Sequence, residues 1–193
     1  MKRLPPVPLL GKAVIGFVVI ILALAFLFAP QPKPVDVSSV DFHMTSSSRL
    51  YFRNVRSYYY DVEVHKASGF VLYRLKRRER DTSHTCILFS IIENTGQDEA
   101  YIYLELQDPG KQYPEPYVLI SKVTGVSEVQ PLHDLDNEEH FRTAAAIWKG
   151  LLQDDAFILV SGTDTLADVL NDRKTRKDAE IVLEDYFKLI GKF

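Results

Sequence analysis

The stretch richest in groups that bind metals or carry protons runs from His133 to His140, H-D-L-D-N-E-E-H. Two imidazoles and four carboxylates are donor types that a divalent cation takes. The spacing is not that of the helical zinc motif H-E-x-x-H. The same residues also read as a helix start. Asp136 or Asn137 would cap it, and Glu138 and Glu139 would fill the first turn, where the helix dipole favours anions. This capping reading is the favoured one, and it leaves His133 and His140 unexplained.

A second constellation is G-T-D-T, Gly162 to Thr165, directly after the apolar run Phe157 to Val160 and Ser161. It resembles the second signature of bacterial-type asparaginases. The resemblance implies that Thr163 and Asp164 would handle a substrate amide. It covers these few residues only: the family's histidine before the glycine is Ser161 here, and its glycine-rich first signature and large doubly wound domain are missing. Read from the residues alone, Gly162 makes a turn and Thr163 or Asp164 caps a following helix. No G-x-S-x-G elbow occurs in the chain. Cys86 sits in the apolar run C-I-L-F-S-I-I and reads as a small core residue, since a reactive thiol wants exposure and positive charge beside it. The sequence therefore assigns no catalytic, metal or cofactor-binding residue and no cofactor.

Lys76-Arg77-Arg78-Glu79-Arg80 is a basic run at a strand end, to which Arg49, Arg53 and Arg56 could add across a sheet. It would meet anionic headgroups or an acidic partner, or else remain a solvated hairpin tip guarding an edge strand. In the tyrosine run 58–60, Tyr59 falls on the polar side and is available to a partner. Tyr59, Arg77, Arg78 and Arg80 are the expected contacts on the domain.

The elements that must hold these residues follow from periodicity. Leu50 and Phe52 alternate with polar neighbours. Tyr58, Tyr60, Val62 and Val64 share one face of a strand, and Tyr59, Asp61, Glu63 and His65 the other. A turn over 66–69 returns the chain through Phe70 to Lys76. Cys86 to Ile92 reads as a central strand covered on both faces, and Ala100 to Leu106 alternates again. Asp108 to Pro116 is an irregular connection. Tyr117 to Val123 is a strand, and Val126 to Val129 another short one. Phe141, Ala144, Ala145, Trp148, Leu151 and Leu152 then recur at helical spacing. Ala156 to Val160 is a strand, and Leu166, Val169 and Leu170 suggest a short helix. A last helix is capped by Asp172, carries Ala179, Val182, Leu183, Tyr186, Leu189 and Ile190 as its stripe, and ends at Gly191. Strands first and helices later give an α+β fold: an antiparallel sheet packed by C-terminal helices. The Tyr58 to Val64 face is expected against the helix bearing Phe141 and Trp148.

Residues 13–29 carry no charge, and as a helix they would span roughly 26 Å, close to the ~30 Å hydrocarbon core. The expected layout is a cytoplasmic tail over 1–12, a transmembrane helix over 13–29, a proline-rich linker over 30–36 and an α+β domain over 37–193. Lys2, Arg3 and Lys12 precede the apolar run, whereas only Lys33 and Arg49 follow closely, so the domain should be periplasmic or extracellular. The run is longer than a signal h-region and its A-x-A site is followed by more apolar residues, which favours a retained anchor. Gly16, Ala23 and Ala25 are small enough to admit a neighbouring helix. A net charge of −3 gives no reason to expect nucleic acid. A single cysteine excludes an internal disulfide, and the absence of an N-x-S/T sequon suits a bacterial envelope protein. The expected function is a non-catalytic accessory, assembly or scaffolding subunit of an integral membrane complex. The alternative is a membrane-tethered hydrolase or metal-dependent enzyme using the His133–His140 or Thr163–Asp164 region.

Overall fold

The computed structural model describes residues 9–27, 32–81, 83–107, 115–121, 125 and 127–193. The chain divides into two units, Met1–Pro32 and Lys33–Phe193. In the first, Leu9–Leu27 forms helix α1, with Lys12 as its one charge. Side chains in it are described over Gly11, Lys12 and 14–24 only, and no helix among the described residues is long and apolar enough to cross a membrane.

The second unit opens with segment 33–45, which docks on the core. The Trp148 indole N–H donates to the Lys33 carbonyl at 2.8 Å. Thr45 caps a short helix α2, Ser46–Tyr51, which continues into a π-helical turn, Phe52–Arg56, and a 3₁₀ turn, Ser57–Tyr59. Strands β1 (Tyr60–His65), β2 (Phe70–Leu75), β3 (Cys86–Asn94) and β4 (Glu99–Gln107) form an antiparallel sheet in that order. Strands β5 (Tyr117–Ser121), β6 (Ser127–Pro131), β7 (Ala156–Ser161) and β8 (Asp164–Val169) form a second sheet, ordered β6-β5-β7-β8. Helix α3 (Asn137–Leu152) precedes β7, and α4 (Arg173–Leu189) closes the chain.

The α+β class and both long helices follow the sequence reading. Asp136 caps α3 through a full capping box with Glu139, and Asp172 caps α4. Cys86 is buried, and burial pushes its thiol up to about 11. The single sheet expected is in fact two, joined through α3. That helix is buried on most of its surface, because β4 lies along one side and the second sheet along another. Gly150 marks the second contact: a Cβ there would meet the Phe157 ring at 2.9 Å and Ile120 at 3.0 Å. Helix α4 crosses β3 and β4. Phe187 at its end gathers Phe141, Trp148 and Phe193 into one aromatic core.

Three local expectations are corrected. Leu50 to Arg53 is helical, and Tyr58 belongs to the 3₁₀ turn. Leu166 and Val169 lie on strand β8, so the G-T-D-T turn joins two strands and caps no helix. Of the face Tyr58, Tyr60, Val62 and Val64, only Tyr60 is buried, and it packs on Phe52 and Tyr73, whereas Phe141 and Trp148 pack on Phe187. The connection over 108–114, and Lys122 to Thr124 and Val126, fall outside the described residues, as do the side chain of Ala25 and the tail over 1–8.

Gly150→Ala should destabilise the domain by about 1–3 kcal/mol, since the close approach is to ring and branched carbons that cannot swing away. Denaturant unfolding followed by the one tryptophan, Trp148, measures it.

Candidate functional site

The π-helical turn supplies two arginines to two buried carboxylates. Arg53 pairs with Glu93 on β3, whose side chain is 1 % exposed, and the Tyr73 hydroxyl donates to the same carboxylate at 2.9 Å. Arg56 Nε donates to Asp185 on α4 at 2.7 Å, and the Tyr60 hydroxyl donates to that carboxylate, also at 2.7 Å. Burial, with the adjacent carboxylate, holds both tyrosines protonated far above neutral pH. The hydrogen bond to Asp185 is the main reason that the Arg56 guanidinium is held still more firmly charged. Phe52 sits between the two pairs, its ring 5.6 Å from Tyr60 and 5.0 Å from Tyr73.

With both ends of the turn tied inward, the following 3₁₀ turn projects outward. Tyr58 is 77 % exposed and Tyr59 51 %. Their rings meet edge-on at 5.7 Å. Arg56 lies 5.1 Å from the Tyr59 ring centre, and the Lys76 ammonium 4.8 Å from that of Tyr58. Lys76 also donates to the Tyr58 carbonyl at 2.7 Å. Leu75, Arg77 and Ile181 complete the lining of a groove of about 310 Å³. Aromatic rings with cations at their faces suit recognition of an acidic or mixed polar partner surface.

The basic run is less positive than its composition suggests. Arg77 pairs with Asp178, and Arg78 and Arg80 both donate to Asp61, at 2.7 and 2.9 Å. Glu79 is drawn down to about 2 by the backbone N–H of Asp81, the Lys174 ammonium and the backbone N–H of Arg80. Lys76 is the cation of this run with no carboxylate partner among the described residues. The structure thus brings Tyr59 and Arg77 together and places Arg78 and Arg80 around Asp61. The sequence reading had turned Tyr58 inward, and no pattern in the tyrosine run signals the 3₁₀ turn that exposes it. Of the small residues in α1, Gly16 has open space around it and Ala23 is exposed.

The second candidate region is an open cleft of about 1020 Å³ between β5, β6 and the β7–β8 turn. His133, Ser161, Thr163 and Asp164 line it, with Tyr117, whose hydroxyl donates to the Gly162 carbonyl at 2.7 Å. His133 is exposed and pairs with Asp134 at 3.0 Å. His140 is elsewhere. Its Nδ1 accepts the Leu104 N–H from the outer edge of β4 at 3.3 Å, and its ring packs on Tyr103. Among the described residues no cluster could hold a metal ion. Comparison with protein-family profiles, curated proteins and solved structures finds no match to this chain.

Burial pushes the His140 imidazole below its usual range, against the pull of Asp136 and Glu139. A neutral imidazole with Nδ1 as acceptor is what the Leu104 N–H requires. Its folded value lies below its unfolded value of about 6.5, so its contribution is fully present above that pH and is lost as pH falls through the folded value. The domain should therefore lose stability from about pH 6.5 downward. His140→Asn, which keeps an acceptor but cannot titrate, should flatten this loss between pH 7.5 and 5.5 in denaturant titrations. An unchanged slope would contradict the assignment.

Proposed function

We propose that this chain is a single-pass membrane protein whose extracytoplasmic domain docks, without catalysis of its own, onto an integral membrane complex as an accessory, assembly or scaffolding subunit. The observation that carries the reading is the pair Tyr58 and Tyr59, held outward by a braced turn and ringed by Arg56, Lys76 and Arg77. Holding two large aromatics in water gains nothing for an isolated domain, and tyrosine and arginine are the residue types that dominate protein interfaces. The anchor reading rests on the sequence: residues 13–29 carry no charge, and Lys12 just before them can reach the headgroups. The basic residues before it favour a cytoplasmic amino end. Arg78 and Arg80 then act from around Asp61 at the rim, and Gly16, Ala23 and Ala25 serve helix contacts in the bilayer.

Two measurements test this. The full chain should resist carbonate extraction from membranes, and its domain should be digested by protease in intact spheroplasts; protection until lysis would reverse the topology. The double substitution Tyr58→Ala and Lys76→Glu should leave stability within about 0.5 kcal/mol, the usual surface range. It should cut co-purification with the membrane complex about tenfold or more.

A second reading rests on the cleft that collects His133, Ser161, Thr163 and Asp164. It makes the domain a tethered hydrolase or metal-dependent enzyme. His133→Ala with Asp164→Asn separates the two: the docking reading expects complementation of a deletion strain to be unaffected, and the enzyme reading expects it to be abolished.

A further inference from the structure

Segment 33–45 is part of the domain's surface rather than a leash to it. The Trp148 indole N–H holds the Lys33 carbonyl at 2.8 Å, and Arg142 holds the Val37 carbonyl at 3.2 Å. The Lys192 ammonium donates to the Ser39 carbonyl at 2.8 Å, and the Ala100 N–H to the Phe42 carbonyl at 2.9 Å. Val35, Val40 and Phe42 pack on the core. Of the linker expected over 30–36, the part from Lys33 onward is therefore docked. Pro30, Gln31 and Pro32 are all that separates Lys33 from the uncharged run 13–29.

So short a tether decides which end of the domain a bilayer holding that run would meet. Fully extended, the chain from Ala29 to Lys33 reaches no more than about 14 Å. The headgroup layer is itself about 5–7 Å thick on each side of the hydrocarbon. Lys33 would then stay within roughly 8 Å of the headgroups, about one Debye length at physiological ionic strength. The surface around it suits that neighbour. Phe193, whose ring lies 5.8 Å from that of Trp148, is 46 % exposed. Lys149 follows Trp148 on α3, is exposed, and shares a groove with Pro34, Val35 and Val37. Lys33 and Lys149 have no carboxylate partner among the described residues. The acids of the segment and groove have other partners. Asp36 takes the Ser38 N–H and hydroxyl at 2.8 and 2.9 Å, and Glu128 accepts from Gln130 at 2.9 Å. In the Lys76 to Arg80 run, by contrast, all three arginines already hold carboxylates.

We infer that the end of the domain formed by Lys33, Lys149 and Phe193 lies on the phosphate headgroups of the bilayer. The inference rests on the membrane anchor proposed above. The ammonium groups of Lys33 and Lys149 meet lipid phosphate, and the Phe193 ring enters the boundary between headgroups and acyl chains. The covalent tether, rather than a free encounter, sets the occupant: lipid is held beneath this end at all times. Contact there fixes the orientation of the domain, so the groove of Tyr58 and Tyr59 is offered to a neighbouring subunit at a constant height above the membrane.

The test uses the full chain carrying Cys86→Ala and Gln153→Cys, labelled at position 153 with an environment-sensitive fluorophore. It is reconstituted into vesicles of phosphatidylcholine and phosphatidylglycerol. Gln153 is exposed and lies one helical turn beyond Lys149. A lipid with a spin label on its headgroup should quench the fluorophore by about half or more. Lys33→Glu with Lys149→Glu should cut that quenching about twofold or more, and so should vesicles of phosphatidylcholine alone. Unchanged emission from the buried Trp148 shows that the charge reversals leave the fold intact. Absence of quenching in a chain that still resists carbonate extraction would overturn this inference and leave the anchor standing. Loss of carbonate resistance would overturn both. Quenching indifferent to the charge reversals and to lipid charge would show proximity without headgroup recognition, and would overturn the inference as well.

Discussion

Two carboxylates that cannot reach water, Glu93 and Asp185, constrain the rest of the domain. A buried carboxylate is tolerated only when it is paired and its lone pairs are filled. Both are answered from the same place, one turn of π-helix that sends Arg53 to the sheet and Arg56 to the last helix. Tyr73 and Tyr60 fill the remaining sites. The chain between the arginines cannot relax without unpairing one of them. A π-helical turn is rare and often marks a functional place; here its widened ring lets two arginines three residues apart serve two different elements.

What the domain shows to solvent follows from that brace. Phe52 is held over Tyr60 and Tyr73, whereas Val62 and Val64 farther along β1 are exposed. The chain leaves the turn through Ser57–Tyr59, which turns two tyrosines outward beside Lys76. The groove is thus a consequence of one internal arrangement, set on the β1–β2 side of the first sheet. The cleft at the β7–β8 turn belongs to the other sheet, and its His133 and Asp164 are surface groups.

The elements legible in the sequence were those whose burial is one-sided and regular. Helix α4 has its stripe and its Asp172 cap, and α3 its Asp136–Glu139 box, so both could be read outright. The second sheet was hidden for two reasons. Leu166, Val169 and Leu170 fit a helical spacing as well as a strand, and the irregular register at Leu159 and Val160 breaks the alternation that would have paired β7 with β8. Leu170, in the left-handed region at φ 56°, ends β8 where a helix could have continued. In the Leu50 to Tyr60 stretch, an alternation of only a few residues could not compete with the ion pairs to Glu93 and Asp185, which lie 40 and 129 positions away from their arginines. For the site, residue types were legible but partners were not: nothing in the run Lys76 to Arg80 reveals that Asp178 takes Arg77 and that Asp61 takes both Arg78 and Arg80.

The central claim is that the domain acts by docking through the surface this brace presents. Photo-crosslinking in membranes of the source cell tests it most directly, with benzoylphenylalanine placed in turn at positions 59 and 133 of the full chain. The account predicts an adduct of one discrete mass from 59, lost when Lys76 is changed to Glu, and none from 133. An adduct from 133 with none from 59 would contradict it and shift attention to the cleft.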